Sequence, residues 1–167
     1  VAPATAGTAT QTATSWADFH TKAEAASAGH VIAINAGTYN NDGDISIDNL
    51  VGTAASPIFL DLSGATLTGS TALSLNNCDY VRVYGGVQGV GTGNSSLTRL
   101  KIESDCTFCS IENFDGAAGS QVSDDDLIGT IAISGMYNRA SNNRSNGQTC
   151  RGNFISYIPT TGSNSVD

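Results

Sequence analysis

The sequence has few charged residues and very few basic ones. Only 13% of its 167 residues are charged, and seven Lys and Arg face fifteen Asp and Glu, for a formal net charge of −8. Nucleic-acid binding needs clustered basic side chains that neutralise phosphates, so this balance argues against a nucleic acid as partner. No apolar run approaches the roughly 20 residues that cross a bilayer, so the sequence predicts no membrane span.

Short apolar runs separated by glycine and small polar residues dominate instead. The nineteen glycines punctuate runs rich in Val, Ile and Thr, a pattern typical of strands joined by turns. One helix is predicted at residues 16–27, with Ser15 as the N-cap and Gly29 as the C-terminal stop. Trp16 and Phe19 fall on one face of it. We expect this helix to cover one end of the strand assembly.

One pattern of strand, polar corner, strand and turn occurs three times between residues 73 and 147. The copies begin at Leu73, Leu100 and Ile131, so their offsets are 27 and 31 residues. A nearly fixed period of this length is typical of solenoids, in which each coil stacks on the one before. The sequence predicts an all-β fold, a right-handed parallel β-helix of about five to six coils with a short N-terminal capping helix. A β-sandwich, which also has short strands and regular turns, is the alternative.

The predicted organisation is one β-helix domain between two polar ends. The domain covers residues 15–158, residues 1–14 form a flexible or partner-pairing arm, and residues 159–167 form a polar tail. The small residues after Val1 are typical of a segment that follows a removed signal peptide. An even number of cysteines, four, suits an oxidising compartment. We therefore expect a secreted protein, either extracellular or at the cell surface.

Four segments share their order and spacing with a known family. They are GHVIAINAGTY at 29–39, GTAASPI at 52–58, ATLTGS at 65–70 and DYVRVYG at 79–85. These segments resemble the N-terminal part of the β-helical polysaccharide lyases, the alginate lyases and chondroitinase B among them. The resemblance spans residues 15–90 and extends more loosely to residue 158. It implies a β-helix with a capping helix, and an alginate-like uronate polymer as the substrate class.

The resemblance also implies a catalytic set that the sequence does not supply. Those lyases use a Lys base and an Arg, with a calcium ion held by Asn and two closely spaced Glu. Here the three Glu are Glu24, Glu103 and Glu112, and the last Lys is Lys101. We therefore assign no catalytic residue and expect a lyase-like fold without the catalytic coils.

Charged residues in the first two copies are nevertheless candidates for uronate chemistry. Elimination needs a base near the reacting proton and a cation on the carboxylate. Outward positions on neighbouring coils would bring Arg82, Lys101 and Glu112 onto one face, with Arg99 and Glu103 nearby. A solvated solenoid face is the favoured alternative.

The most basic part of the chain lies near its C-terminal end. Its candidate ligand-binding residues for a polysaccharide or other anion are Arg139, Asn142, Asn143, Arg144 and Arg151, with Asn138 nearby and with Tyr137 and Tyr157 as stacking platforms. The favoured alternative is structural, since Asn stacks in turns and tolerates left-handed backbone.

The remaining candidate sites are acidic clusters that could bind a metal ion and cysteines that could bind zinc or form disulfides. No cofactor is predicted, although calcium is compatible with Asp124, Asp125 and Asp126 together with Asp115, or with Asp42 and Asp44. A zinc site at Cys106 and Cys109 would need a second ligand pair, and His20 and His30 are far away in sequence. Cys78 and Cys106 occupy equivalent places in two copies, which predicts a disulfide between them and, by elimination, one between Cys109 and Cys150.

Two functions follow from these patterns. The first is a non-catalytic extracellular structural subunit that assembles head-to-tail into filaments or a surface layer, because an uncovered coil end offers strand edges to another copy. The second is a polysaccharide-active protein, either a minimal uronate lyase or a carbohydrate-binding module. The missing catalytic set favours the first.

Overall fold

The described part of the chain consists of one helix and sixteen short strands. The computed structural model describes residues 7–40, 42–88, 100–103, 105–116, 131–133, 137, 139–141, 144–145 and 148–149. The helix, α1, spans Trp16–Glu24. The strands are β1 (Gln11–Ala13), β2 (Val31–Ile34), β3 (Gly37–Asn40), β4 (Asp44–Asp48), β5 (Ile58–Asp61), β6 (Ala65–Thr68), β7 (Ala72–Asn76), β8 (Val81–Tyr84), β9 (Val87–Gln88), β10 (Leu100–Ile102), β11 (Ser110–Glu112), β12 (Asp115–Gly116), β13 (Ile131–Ile133), β14 (Arg139–Ser141), β15 (Arg144–Ser145) and β16 (Gln148–Thr149).

These strands form three sheets that the chain visits in rotation. Sheet A has the order β1-β2-β5-β8-β11-β14, sheet B the order β3-β6-β9-β12-β15-β16, and sheet C the order β4-β7-β10-β13. From β2 to β15, each pass of the chain adds one strand to sheet A, then one to sheet B, then one to sheet C. Within the described residues the pairings are parallel except that of β15 with β16. The predicted all-β class is confirmed.

The register within the sheets follows the repeat found in the sequence. In sheet C, Leu100 lies opposite Leu73 and Ile131 lies opposite Leu100. One pass earlier, Ile45 lies opposite Leu73. Equivalent apolar residues of successive passes are therefore direct neighbours, as the offsets of 27 and 31 residues predict.

Alternate residues of the strands point into a core shared by the three sheets. In β4, for example, Ile45 and Ile47 are buried while Ser46 between them is exposed. Each buried Leu, Ile or Val side chain stabilises the fold by about 1.5–3 kcal/mol relative to an exposed one. The structure adds a strand that the apolar pattern did not predict, β3 (Gly37–Asn40), because its residues are mostly exposed and lack alternation.

Helix α1 begins where the sequence predicts and ends earlier. The Ser15 hydroxyl accepts a hydrogen bond from the Asp18 amide at 3.1 Å, so Ser15 is the N-cap. The helix ends at Glu24 rather than at residue 27 because the chain tightens there, with the Ala26 amide donating to the Ala23 carbonyl at 3.0 Å. Gly29, with φ of +85°, lies in the turn that follows.

One edge of sheet C is covered by this helix. The Trp16 indole N–H donates to the Gly43 carbonyl at 3.2 Å, and the His20 Nε2 lies 2.9 Å from the Ser46 carbonyl oxygen. Trp16 and Phe19 are buried. The outer edge of β4 is therefore occupied by α1, in keeping with the role expected for the helix.

Part of the N-terminal arm pairs within its own chain. Strand β1 lies parallel to β2, with Gln11 opposite Ile32, and Ala13 is fully buried. The Lys22 ammonium donates to the Thr12 carbonyl at 2.9 Å and so ties this strand to the helix. Residues 1–6 of the predicted arm and the predicted tail at 159–167 lie outside the described residues.

Close approach of successive passes leads to a first prediction, at Gly52. A Cβ at this position would lie 2.6 Å from the Tyr80 carbonyl oxygen, on the next pass of the chain, and 3.0 Å from the Ile58 backbone nitrogen. We expect Gly52→Ala to lower the free energy of unfolding by about 1–3 kcal/mol, as overpacking does. Urea denaturation measures this loss.

The control is Gly7→Ala, since a Cβ at Gly7 would meet nothing within 4 Å. A loss of stability as large for Gly7→Ala as for Gly52→Ala would contradict the role of close backbone contact at Gly52.

Candidate functional site

The corner that joins sheet C to sheet A is built from stacked polar residues. The Asn77 side-chain amide donates to Asn49 Oδ1 at 2.6 Å, and the Asn77 backbone N–H donates to Asp105 Oδ1 at 3.0 Å. Asn49 and Asn77 have φ of +60° and +49°, in the left-handed region that Asn tolerates. The asparagine stacking expected near residues 138–143 is thus observed at an earlier corner of the chain.

Three aromatic residues at the end of the same corner form what we call the aromatic ridge: Tyr80, Phe108 and Tyr137. The rings of Tyr80 and Phe108 stack with centroids 4.7 Å apart and planes within 8°, and those of Phe108 and Tyr137 with 4.8 Å and 5°. Phe108 is 44% exposed and Tyr137 54% exposed. Sequence reasoning missed this group, although its spacings of 28 and 29 residues match the repeat.

The ridge changes the role expected for Tyr137. One face of its ring is covered by Phe108, so a sugar ring has only the opposite face available for stacking. Of the other predicted ligand residues, Arg139 lies in β14 opposite Ser110 and Arg144 lies in β15 opposite Asp115. The rest lie outside the described residues: Asn138, Asn142, Asn143, Arg151 and Tyr157.

The outward side of sheet A carries a nearly buried ion pair. Arg82 donates from Nε and Nη2 to Glu112 Oε1 at 3.0 and 2.7 Å, and from Nη2 to Oε2 at 2.7 Å. The Ser110 hydroxyl donates to Oε1 at 2.7 Å. The Arg82 guanidinium also lies 4.9 Å from the centroid of the Phe59 ring. Glu112 is 1% exposed and Arg82 14% exposed, so the charge of each is balanced away from bulk water.

The face predicted to unite Arg82, Lys101 and Glu112 is not formed. Arg82 and Glu112 lie in sheet A, whereas Lys101 lies in sheet C and its Nζ is 2.6 Å from Glu103 Oε1. The prediction was wrong for Lys101 because consecutive strands of one pass belong to different sheets and therefore face different directions. Arg99 lies outside the described residues.

Every basic side chain that the structure describes is paired with a carboxylate. The pairs are Lys22 with Asp18, Arg82 with Glu112, and Lys101 with Glu103, at distances from 2.6 to 2.7 Å. The hydrogen bond from Lys22 holds the pKa of Asp18 below its usual value. Within the described side chains, no cation remains uncompensated for an anionic ligand.

No group of three or more His, Cys, Asp or Glu side chains within the described residues is arranged to hold a metal ion. At the candidate around Asp42 and Asp44, the Asp42 amide donates to the Thr71 hydroxyl at 3.0 Å, and burial raises the pKa of Asp44. The candidate at Asp124, Asp125 and Asp126 lies outside the described residues, so calcium binding there stays a prediction.

Three cysteines meet in the core as buried thiols: Cys78, Cys106 and Cys109. The Cys78 amide donates to Cys106 Sγ at 3.4 Å, which confirms that these two residues are neighbours on successive passes. The disulfide predicted between them is absent from the structure, and Cys150, the predicted partner of Cys109, lies outside the described residues.

Each of these thiols is hydrogen-bonded to the backbone of an adjacent pass. Cys78 Sγ donates to the Ile47 carbonyl, Cys106 Sγ to the Leu75 carbonyl and Cys109 Sγ to the Cys78 carbonyl, each at 3.3 Å. A hydrogen bond to the Cys106 sulfur, together with burial, raises the pKa of Cys78 and of Cys109. Buried, protonated thiols are poor nucleophiles, so Cys78 and Cys109 fit a packing role.

Comparison with known proteins adds no relative. No protein-family model, curated protein or solved structure matches the chain. The similarity to the β-helical lyases therefore still depends on the four segments named above. In the part of the chain that is described, no helix has the length and apolar character needed to cross a membrane.

The buried ion pair generates a second prediction. Glu112→Ala leaves the Arg82 guanidinium, 14% exposed, without its carboxylate. Breaking a buried pair in this way costs about 3–5 kcal/mol of unfolding free energy, and we expect a loss of that size in urea denaturation.

The matched control is Glu103→Ala, which removes the carboxylate of an exposed pair with Lys101. Exposed pairs contribute about 0–1 kcal/mol. Equal losses for Glu112→Ala and Glu103→Ala would show that burial of the sheet A pair has no energetic consequence.

The thiol cluster generates a third prediction. We expect Cys78, Cys106 and Cys109 to resist iodoacetamide in the folded protein, and to be alkylated in urea without prior reduction. Peptide mass mapping distinguishes them from Cys150. Alkylation of Cys78 and Cys106 only after reduction would establish the disulfide predicted from the sequence instead.

Proposed function

We propose that the protein is a right-handed parallel β-helix that serves as a non-catalytic, extracellular structural subunit, assembling head-to-tail into filaments or a surface layer. The observation that carries this proposal is the rotation of the chain through three sheets of parallel strands from β2 to β15. A stack of equivalent passes has unpaired strand edges of the same kind at both of its ends.

The rotation supports the β-helix in particular. Parallel strands of one sheet are joined by connections that pass through the other two sheets, and connections between parallel strands are right-handed in about 98% of cases. The in-register stacking of Ile45, Leu73, Leu100 and Ile131 is what coils of a solenoid require.

Strand edges support the head-to-tail assembly. At one end of the sheets lie β1, β3 and β4, and at the other end of sheets A and C lie β14 and β13, each with one strand neighbour within the described residues. Edge strands carry backbone groups that pair readily with another chain. Because α1 covers β4 and also contacts β1, where Lys22 donates to the Thr12 carbonyl, we infer that the N-terminal end makes its contact chiefly through β3. A contact between two different ends repeats without closing and produces fibres.

Charge supports a non-catalytic role. The described cations are already neutralised within the chain, so a uronate carboxylate would have to displace Glu112 or Glu103 to reach Arg82 or Lys101. Displacing Glu112 would leave a buried carboxylate without its counter-ion, which is costly.

A polysaccharide-active protein is the alternative. It is favoured by the exposed ring of Tyr137, two residues from Arg139, and by the segments that resemble the lyases. Formation of unsaturated product from uronate polymers, measured by ultraviolet absorbance, or retention on a glycan array would support this alternative.

The fourth prediction tests assembly. We expect the purified chain to form end-to-end oligomers or filaments as its concentration rises, seen by negative-stain electron microscopy and by sedimentation velocity. Thr38→Lys places a charged side chain on the edge strand β3 and should reduce the assembled fraction severalfold, because charge on an edge strand opposes pairing.

The control is Thr66→Lys, since Thr66 lies directly opposite Thr38 on β6, inside the same sheet. It adds the same charge to the same face without touching an edge, and assembly should persist. Monodisperse wild-type monomers at high concentration would overturn the proposed function.

A further inference from the structure

The dipeptide Asp42-Gly43, in the turn before β4, has a reactivity of its own that neither candidate function uses. An aspartate followed by glycine cyclises readily, because the glycine nitrogen can attack the side-chain carbonyl carbon without hindrance from a β-carbon. Asp42 is exposed, and Gly43 has φ of +88°, in the left-handed region that glycine adopts easily. A second such dipeptide, Asp115-Gly116, lies in a different setting in the same chain.

The two groups that react in this cyclisation are free at Asp42 and Gly43, whereas the atoms around them are held. The Asp42 amide donates to the Thr71 hydroxyl at 3.0 Å, and the Gly43 carbonyl accepts from the Trp16 indole and from the Ala72 amide, each at 3.2 Å. Within the described residues, neither the Asp42 carboxylate nor the Gly43 amide has a hydrogen-bond partner. A Cβ placed on Gly43 would meet nothing within 4 Å, so the turn has room to rearrange.

The other dipeptide, Asp115-Gly116, is held inside a sheet. These two residues form β12, which lies between β9 and β15 in sheet B. Asp115 lies opposite Val87 on one side and Arg144 on the other, and Gly116 lies opposite Ser145. Ring closure turns the peptide plane between the two residues, which would break this pairing. The fold therefore protects one Asp-Gly dipeptide and leaves the other open to reaction.

We propose that Asp42 is a site of spontaneous covalent modification, where it converts through a succinimide to isoaspartate and so loosens the anchorage of α1 on β4. The Gly43 nitrogen forms a bond to the side-chain carbonyl carbon of Asp42. The protonated carboxyl group loses its hydroxyl and the Gly43 amide loses its proton, together as water. Water then opens the ring: attack at the side-chain carbonyl restores aspartate, and attack at the main-chain carbonyl leaves isoaspartate. Water is the only co-reactant.

Isoaspartate lengthens the backbone by a carbon atom immediately before the anchor of the helix. The Gly43 carbonyl ties α1 to the edge of β4 through Trp16, and it ties the start of β4 to β7 through Ala72. The extra backbone atom displaces this carbonyl from these partners. His20 still reaches the Ser46 carbonyl further along β4, so the first turn of the helix loosens while its middle stays attached.

The fifth prediction is that isoaspartate accumulates at Asp42 in the folded protein. After prolonged incubation in mildly acidic buffer, tryptic peptides are assayed with protein isoaspartyl methyltransferase and a radiolabelled methyl donor. Trypsin places Asp42 in the peptide 23–82, Asp115 in the peptide 102–139 and the dipeptide Asn146-Gly147 in the peptide 145–151. We expect peptide 23–82 to carry at least tenfold more label than peptide 102–139. When the chain is aged in urea, where sheet B is lost, the two peptides should be labelled to similar extents.

The matched control is Asp42→Ser, which keeps a side chain common in turns but has no carboxyl group to cyclise. It should abolish the label in peptide 23–82. It should also keep the tryptophan emission constant during incubation, whereas the wild-type emission shifts to the red as the single tryptophan, Trp16, gains contact with water. Asp42→Asn, which loses ammonia rather than water, should react more than tenfold faster.

Each outcome bears on a separate part of the inference. Absence of label in peptide 23–82 of the folded protein would overturn the modification site. Equal labelling of peptides 23–82 and 102–139 in the folded protein would overturn the protection assigned to sheet B. Label without a shift in the emission of Trp16 would overturn the loosening of α1. None of these results depends on filament formation, so the proposed function stands or falls separately.

Discussion

Contact between equivalent residues on successive passes is the constraint on which this structure depends. Parallel strands lie about 4.8 Å apart, so any residue meets its own counterpart one pass earlier and one pass later. Apolar residues satisfy this as Leu73 stacks on Leu100, and amides satisfy it as Asn77 bonds to Asn49. Where the backbones themselves come closest, as Gly52 does to Tyr80, a side chain is excluded. Residues one repeat apart in the sequence are therefore the residues that lie side by side on neighbouring strands.

This constraint decides what the sequence could predict. The register of sheet C follows from the spacing of the repeat, and the N-cap of α1 follows from the local signal at Ser15. The apolar pattern did not predict β3, because this strand pairs through its backbone while its side chains are mostly exposed. Grouping Lys101 with Arg82 failed because spacing along the chain does not reveal which sheet a strand joins. The aromatic ridge was detectable, but only by comparing the same corner across all three copies.

The buried charge on sheet A also depends on contacts between successive passes. Arg82 finds Glu112 one pass away, on the strand that pairs with its own, and Phe59 one pass away on the other side. The ion pair and the cation–ring contact thus use the lateral spacing that stacks the core. In a groove adapted for uronates, some of these cations would remain available for the carboxylates of a substrate. Here Arg82 is neutralised from the next pass, whereas Lys22 and Lys101 pair with carboxylates close to them in sequence.

Stacking leaves unpaired strand edges at the ends of the sheets. At the N-terminal end these edges are covered to different extents in the three sheets. Helix α1 closes the edge of β4 through Trp16 and His20 and also contacts β1, while β3 keeps one side without a strand neighbour within the described residues. A helix about 10 Å wide over one sheet prevents a second copy from docking flat on all three. In the proposed head-to-tail assembly, the contact would therefore be made off-centre, near sheet B. An off-centre contact tilts each copy relative to the last, so the proposed filament would be helical.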